Sequence, residues 1–139
     1  MAKPLRLIAE DVEDLAVISA ALQDALAKIG DIAFDKAART LTIGLNRFRW
    51  EKKGGERVRA GLQISSVLKV QARNLKQGVK DAVVDLLAIG FEPGDAPAGA
   101  IVLTFAGGGD LRIEVECIDI ILADVSVAWP TRAKPKHDG

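Results

Sequence analysis

Tyrosine is missing from this chain of 139 residues, and cysteine and histidine occur once each. A lone Cys117 excludes an intrachain disulfide and fits a reducing compartment, so a cytoplasmic protein is expected. A lone His137 excludes a histidine dyad or a multi-histidine metal site within one chain, and it stands two residues from the C-terminus, a poor place for proton transfer. Long apolar runs are also lacking. The best candidate, Ile118 to Val125, carries Asp119 and Asp124, and nothing approaches the roughly 20 apolar residues that cross a bilayer. The N-terminus, Met1-Ala-Lys-Pro-Leu-Arg6, has no apolar core of an export signal, and none is expected. Net charge is absent too: 19 basic and 19 acidic residues sum to zero.

What is present is a sorting of those charges along the chain. From Lys36 to Lys80 twelve Lys or Arg stand against Glu51 and Glu56, a net of +10. From Asp81 to Val125 nine acids stand against Arg112, a net of −8. This pattern predicts a basic and an acidic surface that act on partners or on assembly. The bland alternative is that the bases pair with acids of the second half, within one chain or between two.

Periodicity supplies the architecture. Leu5 to Ala9 alternates weakly and predicts a short strand. Asp11-Val-Glu-Asp14 places carboxylates at a helix start, and Leu15, Ile18, Leu22, Leu26 and Ile29 continue one apolar stripe to a C-cap at Gly30. After it the period is two. Ile32 and Phe34 start a strand; Leu41, Ile43 and Leu45 alternate on odd positions, whereas Phe48 and Trp50 fall on even ones. That slip predicts a bulge at Asn46 and Arg47, both opposite Arg59, with Phe48 facing Val58. The same register places Leu45 opposite Ala60, Ile43 opposite Leu62 and Leu41 opposite Ile64. Val58 to Ala72 holds one parity, through Leu68, Val70 and Ala72.

In the second half, Leu87, Ile89 and Phe91 form an apolar edge before a Pro/Gly-rich loop. Ile101, Leu103 and Phe105 face Val115, Ile113 and Leu111 across Gly107-Gly-Gly109, and a second bend follows Cys117. The expected fold is α+β: a bent antiparallel meander of five or six strands, partly or wholly closed into a barrel, with one N-terminal amphipathic helix packed on it. An open sheet covered by the helix is the competing picture. One domain spans residues 1–129, followed by a polar, flexible tail over 130–139.

Leu45-Asn-Arg-Phe-Arg-Trp-Glu51, Leu86-Leu-Ala-Ile-Gly-Phe-Glu-Pro-Gly94, Phe105-Ala-Gly-Gly-Gly109, Ile113-Glu-Val-Glu-Cys-Ile-Asp119 and the closing Trp129, Pro135 and His137 resemble a small alphaproteobacterial family known as domain of unknown function 2948. The resemblance runs over nearly the whole chain. It implies a compact cytoplasmic protein and carries over no activity, cofactor or catalytic residue.

The residues themselves offer little chemistry. Glu114 and Glu116 share a strand face with Asp119 nearby, but no loop with the ligand offsets of a hard-metal site contains them. Gly107 to Gly109 lacks the following helix that a phosphate loop needs. No catalytic, metal or cofactor residue is assigned. Arg47, Arg49, Arg57 and Arg59 gather at one hairpin end with Phe48 and Trp50 interleaved, and Arg49 beside Arg57 requires an anionic neighbour. Such a cluster suits single-stranded nucleic acid, an anionic ligand or an acidic protein. A pI near 6.6 argues against nucleic acid.

The expected function is a non-enzymatic interaction module that binds a protein partner or a second copy of itself. Arg47, Arg49, Arg57 and Arg59 are its contact residues and Glu114 and Glu116 their complement. The alternative is a small-metabolite enzyme or ligand-binding barrel with acidic residues at its mouth and Asn46 and Arg47 orienting an anion.

Overall fold

A computed structural model of the chain describes residues 4–48 and 56–125, and the backbone of 129–130. The expectations for Arg49, Trp50 and most of the tail, His137 included, lie outside the described residues.

The chain begins with strand β1 (Arg6–Ala9) and helix α1 (Val12–Ala21). The Asp11 carboxylate caps α1 by accepting the Asp14 N–H at 2.8 Å, and Glu13 and Asp14 put further negative charge in the first turn. Leu15, Ile18 and Leu22 are buried as the stripe requires. The helix does not run on to Gly30, however. Asp24 turns left-handed at φ 66°, and residues Ala25–Lys28 form strand β2, in which Ala25 and Ala27 are buried at period two. Leu22, Leu26 and Ile29 satisfy helical spacing equally well, so the periodicity is ambiguous there. What decides is the sheet: β2 pairs with two later strands at once, and a helix here would leave both with open edges. Gly30 then lies in a single 3-10 turn, Ile29–Asp31, with its N–H donating to the Lys80 carbonyl.

The remaining strands are β3 (Ile32–Asp35), β4 (Thr40–Phe48), β5 (Glu56–Ile64), β6 (Val67–Arg73), β7 (Val83–Pro93), β8 (Gly99–Phe105), β9 (Asp110–Val115), β10 (Ile120–Asp124) and β11 (Trp129–Pro130). They make one antiparallel sheet whose pairing path runs β1-β10-β5-β4-β2-β7-β8-β9-β6, with β3 on β4 and β11 on β5. The fold is therefore α+β, with one α-helix among the described residues. Eleven short strands in those residues replace the expected five or six, and the path is open from β1 to β6 rather than a closed barrel. Two corners fold the sheet over its own core. At Ser65-Ser66 the chain steps from β5 to β6, and residues 116–119 make the matching step from β9 to β10, tied by Ser65 N–H to Asp119 O and Glu116 N–H to Ser66 O. The bend expected after Cys117 is this second corner.

The core is filled from both walls, by Leu41, Ile43 and Leu45 of β4, Leu103 of β8 and Ile113 of β9, with Ile18 entering from the helix. Helix α1 packs on β1 and β7. Its Ser19 Oγ accepts the Ile89 N–H at 2.9 Å, next to a bulge at Leu86–Ala88. That bulge turns Leu87 outward, 42% exposed, so the expected Leu87 edge begins at Ile89. A second bulge between Val67 and Lys69 exposes Leu68 and breaks the single parity expected from Val58 to Ala72. In the β8–β9 hairpin Ile101 faces Ile113 and Leu103 faces Leu111, two residues from the expected register. Gly107 and Gly108, both at positive φ, take the left-handed backbone of the turn and centre it one residue earlier than the opposed apolar triads imply. No described helix is long and apolar enough to cross a membrane.

Candidate functional site

The β4–β5 ladder carries the residues singled out by charge. Leu41, Ile43 and Leu45 face Ile64, Leu62 and Ala60 as expected, but the register continues unbroken: Asn46 faces Arg59, Arg47 faces Val58 and Phe48 faces Arg57. There is no bulge at Asn46 and Arg47. Arg47 instead holds the next inward position, 2% exposed, where its guanidinium meets Asp124 through Nε–Oδ1 at 2.8 Å and Nη2–Oδ2 at 3.1 Å. Asp124 Oδ2 also accepts the Leu5 N–H at 2.8 Å. A buried guanidinium needs such a bidentate partner. Arg47 is thus a structural residue tying β4 to β10 and the start of β1, and it offers no contact surface.

With Arg47 inside, Phe48 goes outside. Arg57 lies over its ring, 5.5 Å from the centroid, and donates to the carbonyls of Asn46 (3.2 Å) and Asp24 (3.5 Å). Arg59 binds Asp31 at 2.9 Å and Asn46 Oδ1 at 3.3 Å. Its guanidinium crosses Gly44, where an added Cβ would stand 2.5 Å from Nη2. Glu114 and Glu116 are not brought to these arginines. Glu114 lies opposite Lys69 on β6, and Glu116 is ion-paired with Arg39. Three bases of the basic segment, Arg39, Arg47 and Arg73, thereby pair with Glu116, Asp124 and Asp110 of the acidic one. At these places the sorting along the chain has become pairing across the fold.

Near Arg57 lie Asp24 and Asp85. Asp85 Oδ1 is buried without a hydrogen-bond partner among the described residues. Burial first, and the Asp24 charge second, hold the Asp85 carboxyl above the ordinary carboxylate range, while Arg57 pulls it the other way. The folded state therefore binds a proton here more tightly than the unfolded chain, and stability is lost as pH rises from the ordinary carboxylate pKa through the raised one. Asp85→Asn should raise the melting temperature at pH 7, and the gain should fade toward about pH 3, below the ordinary carboxylate pKa. Thermal melts at the two values check it. Among the described residues no three His, Cys, Asp or Glu side chains group as metal ligands would.

The outer face of β1, β10, β5 and β4 carries a feature that charge counting missed. Gly44 pairs with Gly61, Gly61 with Ala123, and Ala123 with Arg6, so the smallest side chains form one row across the strands. One ridge beside it is Thr42, Gln63, Ile121 and Ile8; the other is Asn46, Arg59 and Val125. Between them runs a transverse groove of about 300 Å³ whose described lining contains Arg59 and no acid. Ile8 is 48% and Val125 66% exposed, so apolar surface is left open beside the groove. A second hollow of about 370 Å³ shares Arg59 and continues over Asn46, Asp31, Lys28, Leu26 and Val83. A larger one, about 510 Å³, lies on β6, β9, β8 and β7, but its charges already pair, Arg73 with Asp110 and Arg112 with Glu92. The glycine row had a sequence signal: the expected register already sets Gly44 opposite Gly61, and glycine inside a strand marks close approach.

No curated protein and no solved structure matches the chain. The family model described as Protein of unknown function (DUF2948) matches residues 5–137, and the chain belongs to that family.

Proposed function

We propose that the protein is a non-enzymatic interaction module, and that the transverse groove is its recognition surface, with Arg59 in its lining and Arg6 next in the row on β1. The observation that carries this reading is the row Gly44, Gly61 and Ala123, a floor of the smallest side chains between two mixed ridges, crossed at its Gly44 end by the Arg59 guanidinium. The ridges stand four residues apart along the strands, roughly 13 Å. That width accommodates an α-helix, about 10–12 Å across with its side chains. The groove's chemistry selects a helix with a small apolar face and an acidic end, because an acid meets Arg6 at the β1 end of the row, while Arg59 at the other end is already held by Asp31.

Gly61→Val tests this directly. A Cβ at Gly61 meets nothing within 4 Å, so the substitution fills the groove and leaves the fold in place. Its unfolding midpoint should equal or exceed that of the parent, since valine favours strands. Retention of partners from cell extract should fall at least about tenfold, as it should for Arg6→Glu. If both variants retain the same proteins as the parent, the groove is not the recognition surface. The alternative of a ligand-binding barrel has the Asp24–Asp85 pair in its favour, but interior positions are occupied by core side chains and the three hollows described lie on the outer face.

A further inference from the structure

The chain itself contains a helix of the kind the groove selects. On α1 the buried residues Leu15 and Ile18, with Leu22 at the cap, face the core. The opposite side presents Val12 (50% exposed), Glu13, Ala16, Val17 (55% exposed) and Ala20, all exposed and recurring at three- and four-residue steps. This face is apolar and built on small residues, and no described residue of the chain covers it. Its N-terminal end is acidic, with Glu10, Asp11, Glu13 and Asp14 within about one turn.

We infer that the groove of one molecule receives helix α1 of a second copy. This rests on the groove being the recognition surface and names its occupant. Three properties match. The ten residues of α1 extend roughly 15 Å. The row Gly44, Gly61, Ala123 and Arg6 crosses β4, β5, β10 and β1, and those three interstrand spacings come to roughly 14 Å. Ala16 and Ala20 let the helix axis approach the glycine floor, while Val12 and Val17 can cover the exposed Ile8 and Val125 and the half-buried Ile121. The acidic end of α1 lies at Arg6 on β1, because the β4 end of the groove is taken by the Arg59–Asp31 ion pair. Strand β1 packs against α1 and pairs with β10, which keeps the helix and the groove close together in one molecule. A reciprocal exchange, each molecule giving its helix and receiving one, makes a two-fold dimer.

Sedimentation equilibrium of the purified chain tests the inference. The mean mass should rise from the 14.8 kDa of one chain toward twice that value as concentration increases through the micromolar range. Gly61→Val and Val17→Glu, both at exposed or open positions, should each hold the protein at monomer mass while it keeps the parent's circular dichroism spectrum. Arg6→Glu should also weaken the dimer, and adding Glu13→Arg should restore it. A parent that stays monomeric throughout overturns the inference, as does a dimer indifferent to both Gly61→Val and Val17→Glu. If the parent is monomeric but Gly61→Val still abolishes partner retention, only the self-pairing falls and the groove stands. If Gly61→Val alters neither mass nor retention, both fall.

Discussion

Asp124→Ala should lower the unfolding free energy by about 3–5 kcal/mol, the cost of removing one partner from a buried ion pair. The Arg47 side chain is 3% exposed, and so is that of Asp124, so water cannot replace the lost carboxylate without opening the wall that joins β4 to β10. The same change removes the acceptor of the Leu5 N–H. A denaturant titration checks it through a lower midpoint at unchanged slope. The double variant Arg47→Met with Asp124→Leu separates the two contributions. Apolar side chains of similar volume avoid the desolvation cost of both ions, so the pair should recover most of the loss. If Asp124→Ala costs no more than a surface substitution, about 0.5 kcal/mol, Arg47 is not a buried strut between the two strands.

Gly99→Ala should be nearly as damaging, by about 3 kcal/mol, the upper end of what overpacking usually costs. A Cβ there would lie 2.4 Å from Phe91 Cζ and 2.5 Å from the Glu92 carbonyl oxygen. A ring can swing aside, but the carbonyl belongs to the β7–β8 ladder, where Gly99 faces Pro93 and Ala100 faces Glu92. Relief therefore requires the strands to part. Gly61 makes the contrast: both are strand glycines, yet one is pressed against backbone and the other opens on solvent. Thermal melts of the two variants should move in opposite directions, or Gly61→Val should not move at all. A tolerated Gly99→Ala would show that the β7–β8 ladder yields at this point.

Much of the wall is legible in alternation alone. The inward sets of β4 and β5, the cap at Asp11 and the corner after Cys117 follow from periodicity and local chemistry, because each depends on neighbours within a few residues or on one ladder. The proposed recognition surface is half legible. Arg57 and Arg59 do share one outer face and the register implies the Gly44–Gly61 pair, but Phe48, expected to face Val58, joins that outer face because Arg47 takes the inward position. Arg47 is not legible as a core residue, since its charge argues for solvent unless Asp124, 77 residues away, is known to be buried beside it.

Sequence alone determined the element types over most of the chain, the α+β class and the balance of charge, all of which are set by short-range periodicity and composition. Only the tertiary structure decided that α1 stops at Ala21, that Arg47 turns inward, and that Gly44, Gly61 and Ala123 come into line across three strands. The physical reason is common to all three. Each is settled by satisfying a partner far along the chain, a sheet edge, a buried carboxylate or a neighbouring strand, and local pattern holds no record of which distant partner that will be.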